Sequence, residues 1–227
     1  MMPAPPRSEA ELMARARALA GHDLGAIAEA LGVDIAGDAV RTKGKWGALI
    51  ERALGATAGS RSEPDFAHLG VELKTVPVRA DGRPIESTYV CVLDVLTADE
   101  SRWETSWARR KLERVLFVPI LAEFADWQRR RIGLPILWSP SETEDAILRA
   151  DFEEIMGAFG AGRIEEVTAH WGRAMQVRPK AKTGAKTLRA PTVDGEMIAT
   201  VPKGFYLRAP FVGTLLGQGR GPSHPHD

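Results

Sequence analysis

The sequence predicts an α/β protein in which a mixed sheet is flanked by helices, and three observations lead there. Short runs rich in β-branched and other apolar residues, 71–78, 87–95 and 115–120, have strand length and lie between turn signals. Around them are segments with apolar residues at helical spacing, several opened by a capping serine or closed by a glycine. The chain's 227 residues suffice for one substantial core, or two sub-lobes, and are too few for several independent domains.

The elements follow in chain order. Ser8-Glu-Ala-Glu11 has the spacing of a capping box ahead of a helix over 12–20, which stops at Gly21. A second helix over 24–31 stops at Gly32; the pair has the outline of a helix-turn-helix, but carries too few basic residues for a DNA-reading helix and is read as a hairpin packed on the core. Residues 42–47 read as a turn and 48–54 as a helix with Leu49, Ile50, Ala53 and Leu54 as its buried stripe, which leaves Glu51 beside that stripe and in need of a partner. After the strand over 71–78, Ala80-Asp-Gly-Arg-Pro84 is turn chemistry, so 87–95 is expected to return as the second strand of a hairpin. Trp103-Glu-Thr-Ser106 introduces a short helix with Arg109, Arg110 and Lys111, and 115–120 is a buried strand.

Arg129-Arg-Arg131 reads as a solvated charge run, and 135–138 as a short strand. Ser141-Glu-Thr-Glu144 caps a long helix to about residue 159, whose acids, Asp151 among them, are expected to keep it facing away from phosphates. Residues 162–171 read as another helix, with His170 packed or at the surface rather than a ligand. A strand over 174–177 then delivers a stretch from Arg178 to Arg189 with five basic residues and no acid, suited to phosphate contact. Residues 204–207 form a strand, 210–216 a final helix, and 218–227 have the Gly/Pro content of a disordered tail.

Composition narrows the partners. Thirty basic and thirty acidic residues cancel, so affinity for nucleic acid has to come from local patches. The single Cys91 excludes an intramolecular disulfide and a multi-Cys zinc site, and fits core packing in a reducing compartment. No apolar run reaches membrane-span length, and the first residues lack the apolar core of a secretory signal, so a cytoplasmic protein without membrane contact is expected.

The stretch from Gly59 to Lys74 carries the chemistry. In the strand, side chains alternate, so Glu72 and Lys74 share a face while Val71 and Leu73 take the other; Asp65 stands on the loop just before. Attack of water on a phosphodiester uses such a set: one or two carboxylates hold Mg²⁺, a hard cation, and an ammonium orients the nucleophile and stabilises developing charge. By spacing alone, the same residues describe first a half-exposed strand with a solvated outer face.

The surrounding blocks separate these readings. Gly47-Ala-Leu-Ile-Glu51, Pro64-Asp65-Phe66, Leu69-Gly-Val-Glu72-Leu-Lys74-Thr75, Gly82-Arg-Pro84, Trp103-Glu-Thr-Ser106, Lys111-Leu112, Leu137-Trp-Ser-Pro140, Arg178-Pro-Lys180 and Pro202-Lys-Gly-Phe-Tyr-Leu207 occur in this order. From about Lys43 onward the chain thereby resembles the MutH family of DNA mismatch-repair endonucleases. The resemblance implies a restriction-endonuclease-like fold, a single nuclease domain over 1–217 whose two sub-lobes flank a cleft for double-stranded DNA. It implies a monomer that depends on Mg²⁺, two ions per site, and nicks the unmethylated strand at hemimethylated GATC sites once the mismatch-repair ATPase MutL activates it.

On that resemblance Asp65 and Glu72, with the Leu73 carbonyl, hold the metal; Glu51 is a further carboxylate converging on them, Lys74 positions the attacking water, and Lys111 lies near the site. Lys43, Gly44 and Tyr89 match positions on the DNA side, Arg178, Pro179 and Lys180 match the block that reads the target, and Tyr206 matches a tyrosine set against the target bases. Arginine or lysine on guanine acceptors is the commonest base-specific contact. The chain departs from the family at its end, where the Gly/Pro tail replaces a continuing helix. Two alternatives stand beside this reading: a restriction-type endonuclease cutting both strands at GATC, and a DNA-binding module with a decayed site, against which the presence of every acid and the lysine counts.

Overall fold

A computed structural model describes residues 3–33, 43–57, 63–98, 100–180 and 188–218, without the side chains of Lys43, Lys45 and Pro191. In chain order its helices are α1 (Glu9–Leu19), α2 (Leu24–Ala30), α3 (Lys43–Leu54), α4 (Trp107–Leu112), α5 (Glu142–Gly160) and α6 (Ala209–Gln218). Its strands are β1 (Glu72–Val78), β2 (Thr88–Val92), β3 (Val115–Leu121), β4 (Arg131–Ile132), β5 (Ile136–Trp138), β6 (Met175–Pro179), β7 (Leu188–Pro191), β8 (Met197–Thr200) and β9 (Lys203–Leu207). Parallel and antiparallel pairings both occur, so the predicted mixed α/β class is the observed one. The chain divides into two compact units, one of Met1–Glu86, Glu113–Ser139 and Gly213–Asp227, the other of Ser87–Leu112 and Pro140–Val212.

In the first unit, β3 is apolar throughout and central, because a strand covered on both faces has no place for polar alternation. It pairs in parallel with β1, while β5 and β4 share its other edge, antiparallel to it. Leu73, Leu116, Val118 and Ile120 point to one face, where they bury against Leu12 of α1, Leu24 of α2 and Ile50 of α3. The first two helices are thus a hairpin packed on the core, closed by Gly21 and Gly32 in the left-handed region (φ 86 and 62) that glycine adopts without strain. Ser8 caps α1, its hydroxyl accepting from the Glu11 amide at 3.2 Å.

Several expectations are corrected in this unit. α3 begins at Lys43, so part of the stretch read as a turn is helical. The charge run is not simply solvated: the Arg130 guanidinium lies 4.4 Å over the Trp46 ring, and burial pulls its pKa below the ordinary arginine value. The expected hairpin between β1 and the following strand does not form. The turn itself is present, with the Ile85 amide donating to the Pro77 carbonyl at 2.9 Å, but the chain then enters the second unit, where the apolar side chains of β2 find their cover.

In the second unit, β2, β9 and β6 form an antiparallel sheet in that order. Met175, Val177, Phe205 and Leu207 make its apolar face, and Phe152 of α5 stacks at 5.5 Å from both Phe205 and Trp103. α5 opens with the expected capping box, Ser141 with Glu144. Residues 162–171 form turns rather than a helix, and Asp151 of α5 is buried. β7 and β8 form a small hairpin not foreseen from the sequence. Cys91 is buried, as its core reading requires. α6 runs through Gln218, two residues beyond its expected end, and the tail expected beyond it lies outside the described residues. Among the described residues no helix is long and apolar enough to cross a membrane.

Candidate functional site

The first group is built on the free edge of β1. The Glu72 amide donates to the Arg114 carbonyl on the β3 side, so the next residue, Leu73, turns its amide and carbonyl to the opposite edge. There the Asp65 carboxylate accepts the Leu73 amide at 2.8 Å. Pro77, at the same parity, lacks an amide hydrogen and sits on that edge without cost. The loop is held for this contact: Phe66 is fully buried, it exchanges two backbone hydrogen bonds with Val71 (2.9 and 3.3 Å), and Gly70 supplies the left-handed residue the tight return needs. The Asp65 carboxylate and the Leu73 carbonyl therefore lie along one strand edge.

Glu72 and Lys74 leave β1 on the face away from the helical core, in register with Val115 and Phe117. Lys74 Nζ is 2.7 Å from Glu72 Oε1, and their side chains are only 12% and 6% exposed. A solvated outer face is thereby excluded. With apolar neighbours and little water, the pair interacts through a lower effective dielectric than a surface pair would.

Glu51 approaches from α3. A methyl group placed on Gly47 would stand 3.7 Å from Glu51 Oε1 and 3.8 Å from the Thr75 hydroxyl, so the carboxylate and the β1 side chain both border this glycine of α3. Among the described residues no three His, Cys, Asp or Glu side chains are grouped so as to hold a metal ion. Two carboxylates and one backbone carbonyl remain as a donor set of hard oxygens, which fits Mg²⁺, an ion that retains several waters, and would not suit a softer metal. Lys43 and Gly44 open α3; Gly44 is exposed, with nothing within 4 Å of where a side chain would start, and the Lys43 side chain is outside the described atoms.

The second group is the polar face of the β2–β9–β6 sheet. Register places Tyr89 and Gln176 on either side of Tyr206, with Arg178 across from Gly204 on the same face. The two tyrosine rings meet edge to face at 5.3 Å. Lys180 donates to the Tyr89 hydroxyl at 2.7 Å and lies 4.6 Å over its ring, and Arg178 donates to the Ser87 hydroxyl at 2.8 Å. Arg178, Pro179 and Lys180 are exposed, so one face offers aromatic rings and cations together. The following basic residues 181–187 lie outside the described residues. Lys111, in the same unit, is buried on α4 with its ammonium 5.4 Å from the Trp107 ring centre.

Comparison with known proteins decides which family builds such a chain. A family model described as DNA mismatch repair enzyme MutH matches residues 54–151. A protein named DNA mismatch repair protein MutH from Salmonella paratyphi A is 47% identical over 218 residues, 96% of this chain and 94% of that protein. The chain belongs to the MutH family. MutH proteins of Klebsiella pneumoniae, at 46% identity over 94% of this chain and 93% of their own, and of Yersinia enterocolitica, at 45% over 95% of both, are equally similar in extent.

In this MutH-family chain, sequence reasoning missed Ser87 and Gly204. A side chain on Gly204 would begin 2.9 Å from the Cys91 carbonyl and 3.0 Å from the Tyr89 ring, so this glycine is the floor on which the ring rests. The signal was weak: a glycine inside a strand marks a bulge or a close approach, and a bulge does fall between Tyr89 and Cys91 on the paired strand.

Proposed function

We propose that this protein is a Mg²⁺-dependent DNA endonuclease of mismatch repair that nicks the unmethylated strand at hemimethylated GATC sites when a MutL-type ATPase activates it. The observation that carries the nuclease reading is the edge of β1, where Asp65 is fixed on the Leu73 amide while the buried Glu72–Lys74 pair leaves the same strand. The names of its relatives, DNA mismatch repair proteins, support the repair role.

Asp65, Glu72 and the Leu73 carbonyl would hold the metal, which when bound supplies Lewis-acid neutralisation of phosphoryl oxygens. Lys74, held by Glu72 at 2.7 Å, orients a water for in-line attack and stabilises charge that develops on the phosphate. Glu51 adds negative potential beside β1 from α3. Lys180 and Arg178 bind the DNA backbone and base edges, and Tyr89 and Tyr206 pack against the bases. The nuclease acts as a monomer in the cytoplasm.

The test is a nicking assay on methylated, hemimethylated and unmethylated GATC duplexes, with and without Mg²⁺ and the MutL-type ATPase. Nicking confined to unmethylated strands, abolished by chelation and accelerated by the ATPase, is expected. Equal rates on all three duplexes would overturn methylation sensing, and undiminished cleavage under chelation would overturn the metal dependence.

A further inference from the structure

Asp151 is buried on α5, at 3% exposure, and none of the steps above uses it. Its Oδ1 accepts the Arg173 amide at 2.8 Å and its Oδ2 accepts the Ala174 and Met175 amides, each at 2.7 Å. The backbone that presents these three amides is shaped for that purpose: Gly172 has φ +81, and a side chain there would collide with the Met175 carbonyl at 1.8 Å. The other end of the same turn is held by a cation. Arg208 Nη1 lies 3.1 to 3.4 Å from the carbonyls of Ala169, His170, Trp171 and Gly172, and the Arg208 amide donates to the Ala174 carbonyl at 2.8 Å. One turn is thus gripped by an anion on its amides and a cation on its carbonyls.

The position of this grip gives it meaning. Met175, the last residue held by Asp151, opens β6 and pairs with Leu207, the residue before Arg208 and the last of β9. Three residues further along β6 stands Arg178, and two residues before Arg208 stands Tyr206. Because side chains alternate with period two, a slip of one residue between these strands would carry Arg178, Lys180 or Tyr206 to the opposite face.

We propose that Asp151 and Arg208 are positioning residues that set the register of β6 on β9, and so determine target-sequence discrimination by Arg178, Lys180 and Tyr206. The proposal rests on the reading of this face as the DNA-reading one.

The test compares wild type with Asp151→Asn and Arg208→Lys, the second keeping the charge and leaving the buried carboxylate satisfied. Each is measured well below its melting temperature for the ratio of Kd on a GATC duplex to Kd on a duplex without the site, and for amide exchange over residues 173–180. The expected result is a discrimination ratio reduced about tenfold, since charge-assisted hydrogen bonds are lost, with affinity for the site-free duplex little changed and exchange over 173–180 accelerated. If Asp151→Asn does not fold, Arg208→Lys alone decides. A folded variant with the wild-type ratio overturns the proposal, as does accelerated exchange with no change in the ratio. A wild type without any preference for the site overturns both the DNA-reading assignment and the proposal, and is distinguished from the first result by the wild-type measurement itself.

Discussion

Asp65 has two separable jobs in this structure, and substitutions can divide them. As an acceptor, its Oδ2 receives the Leu73 amide at 2.8 Å and fixes the loop to the β1 edge; as an anion, it is a metal ligand in the proposed reaction. Asp65→Asn keeps an oxygen where the amide needs one and removes the charge. Asp65→Ala removes both, and leaves the Leu73 amide to the water that reaches the half-buried loop. The alanine variant is expected to lose about 1 kcal/mol, a fall in Tm of about 2–4 °C for a chain of this size, while the asparagine variant stays within about 1 °C of wild type. Both are expected to lose nicking by a factor on the order of a hundred or more, because a ligand and its charge are gone. Calorimetry and a plasmid-nicking assay read the two quantities independently. An asparagine variant as unstable as the alanine one refutes the anchoring role, and one that nicks at the wild-type rate refutes the metal role.

Four further variants test other contacts. Gly204→Ala places a methyl group 2.9 Å from the Cys91 carbonyl and 3.0 Å from the Tyr89 ring, so a loss of about 1–3 kcal/mol and weaker DNA binding are expected; thermal melts and fluorescence anisotropy check both, and an unchanged affinity would detach the ring from recognition. Lys180→Met and Arg178→Ala are each expected to cost about 1–3 kcal/mol of discrimination at one base position, read as Kd on duplexes varied base by base, and an unchanged base preference would remove that residue from target reading. The Arg114 guanidinium, bonded to the Glu9 carboxylate, holds that carboxyl below the ordinary glutamate value, partly opposed by burial. A lowered folded-state pKa contributes stability that is present above the unfolded value of about 4.3 and is lost as pH falls through the folded one. Tm against pH for wild type and Arg114→Met should therefore converge on acidification, and a gap independent of pH between neutrality and strong acid would disprove this coupling.

The degree to which the site could be foreseen differs residue by residue. That Glu72 and Lys74 share a face is a consequence of strand alternation, a local property, and the structure keeps it. Their near-complete burial was not legible, because the strand they pair with, β3, lies more than forty positions along the chain. Asp151 was read only as one of the acids that turn α5 away from phosphates, although it lies three residues after Leu148 and four before Ile155, inside the apolar stripe of α5. That spacing was a usable signal of burial, but the backbone amides that satisfy the carboxylate come from residues 173–175 and carry no mark in the sequence.

The sequence by itself determined the α/β class, the helix caps, the glycine stops and the MutH-family blocks, since each depends on residues within one or two turns of one another or on direct likeness to relatives. Only tertiary structure decided that β1 pairs with β3 and β2 with β9, and that Asp65 closes on the Leu73 amide. Strand partners are chosen by which distant apolar faces can cover each other, and a carboxylate settles where a buried amide needs an acceptor. Neither condition is written in the spacing of neighbouring residues.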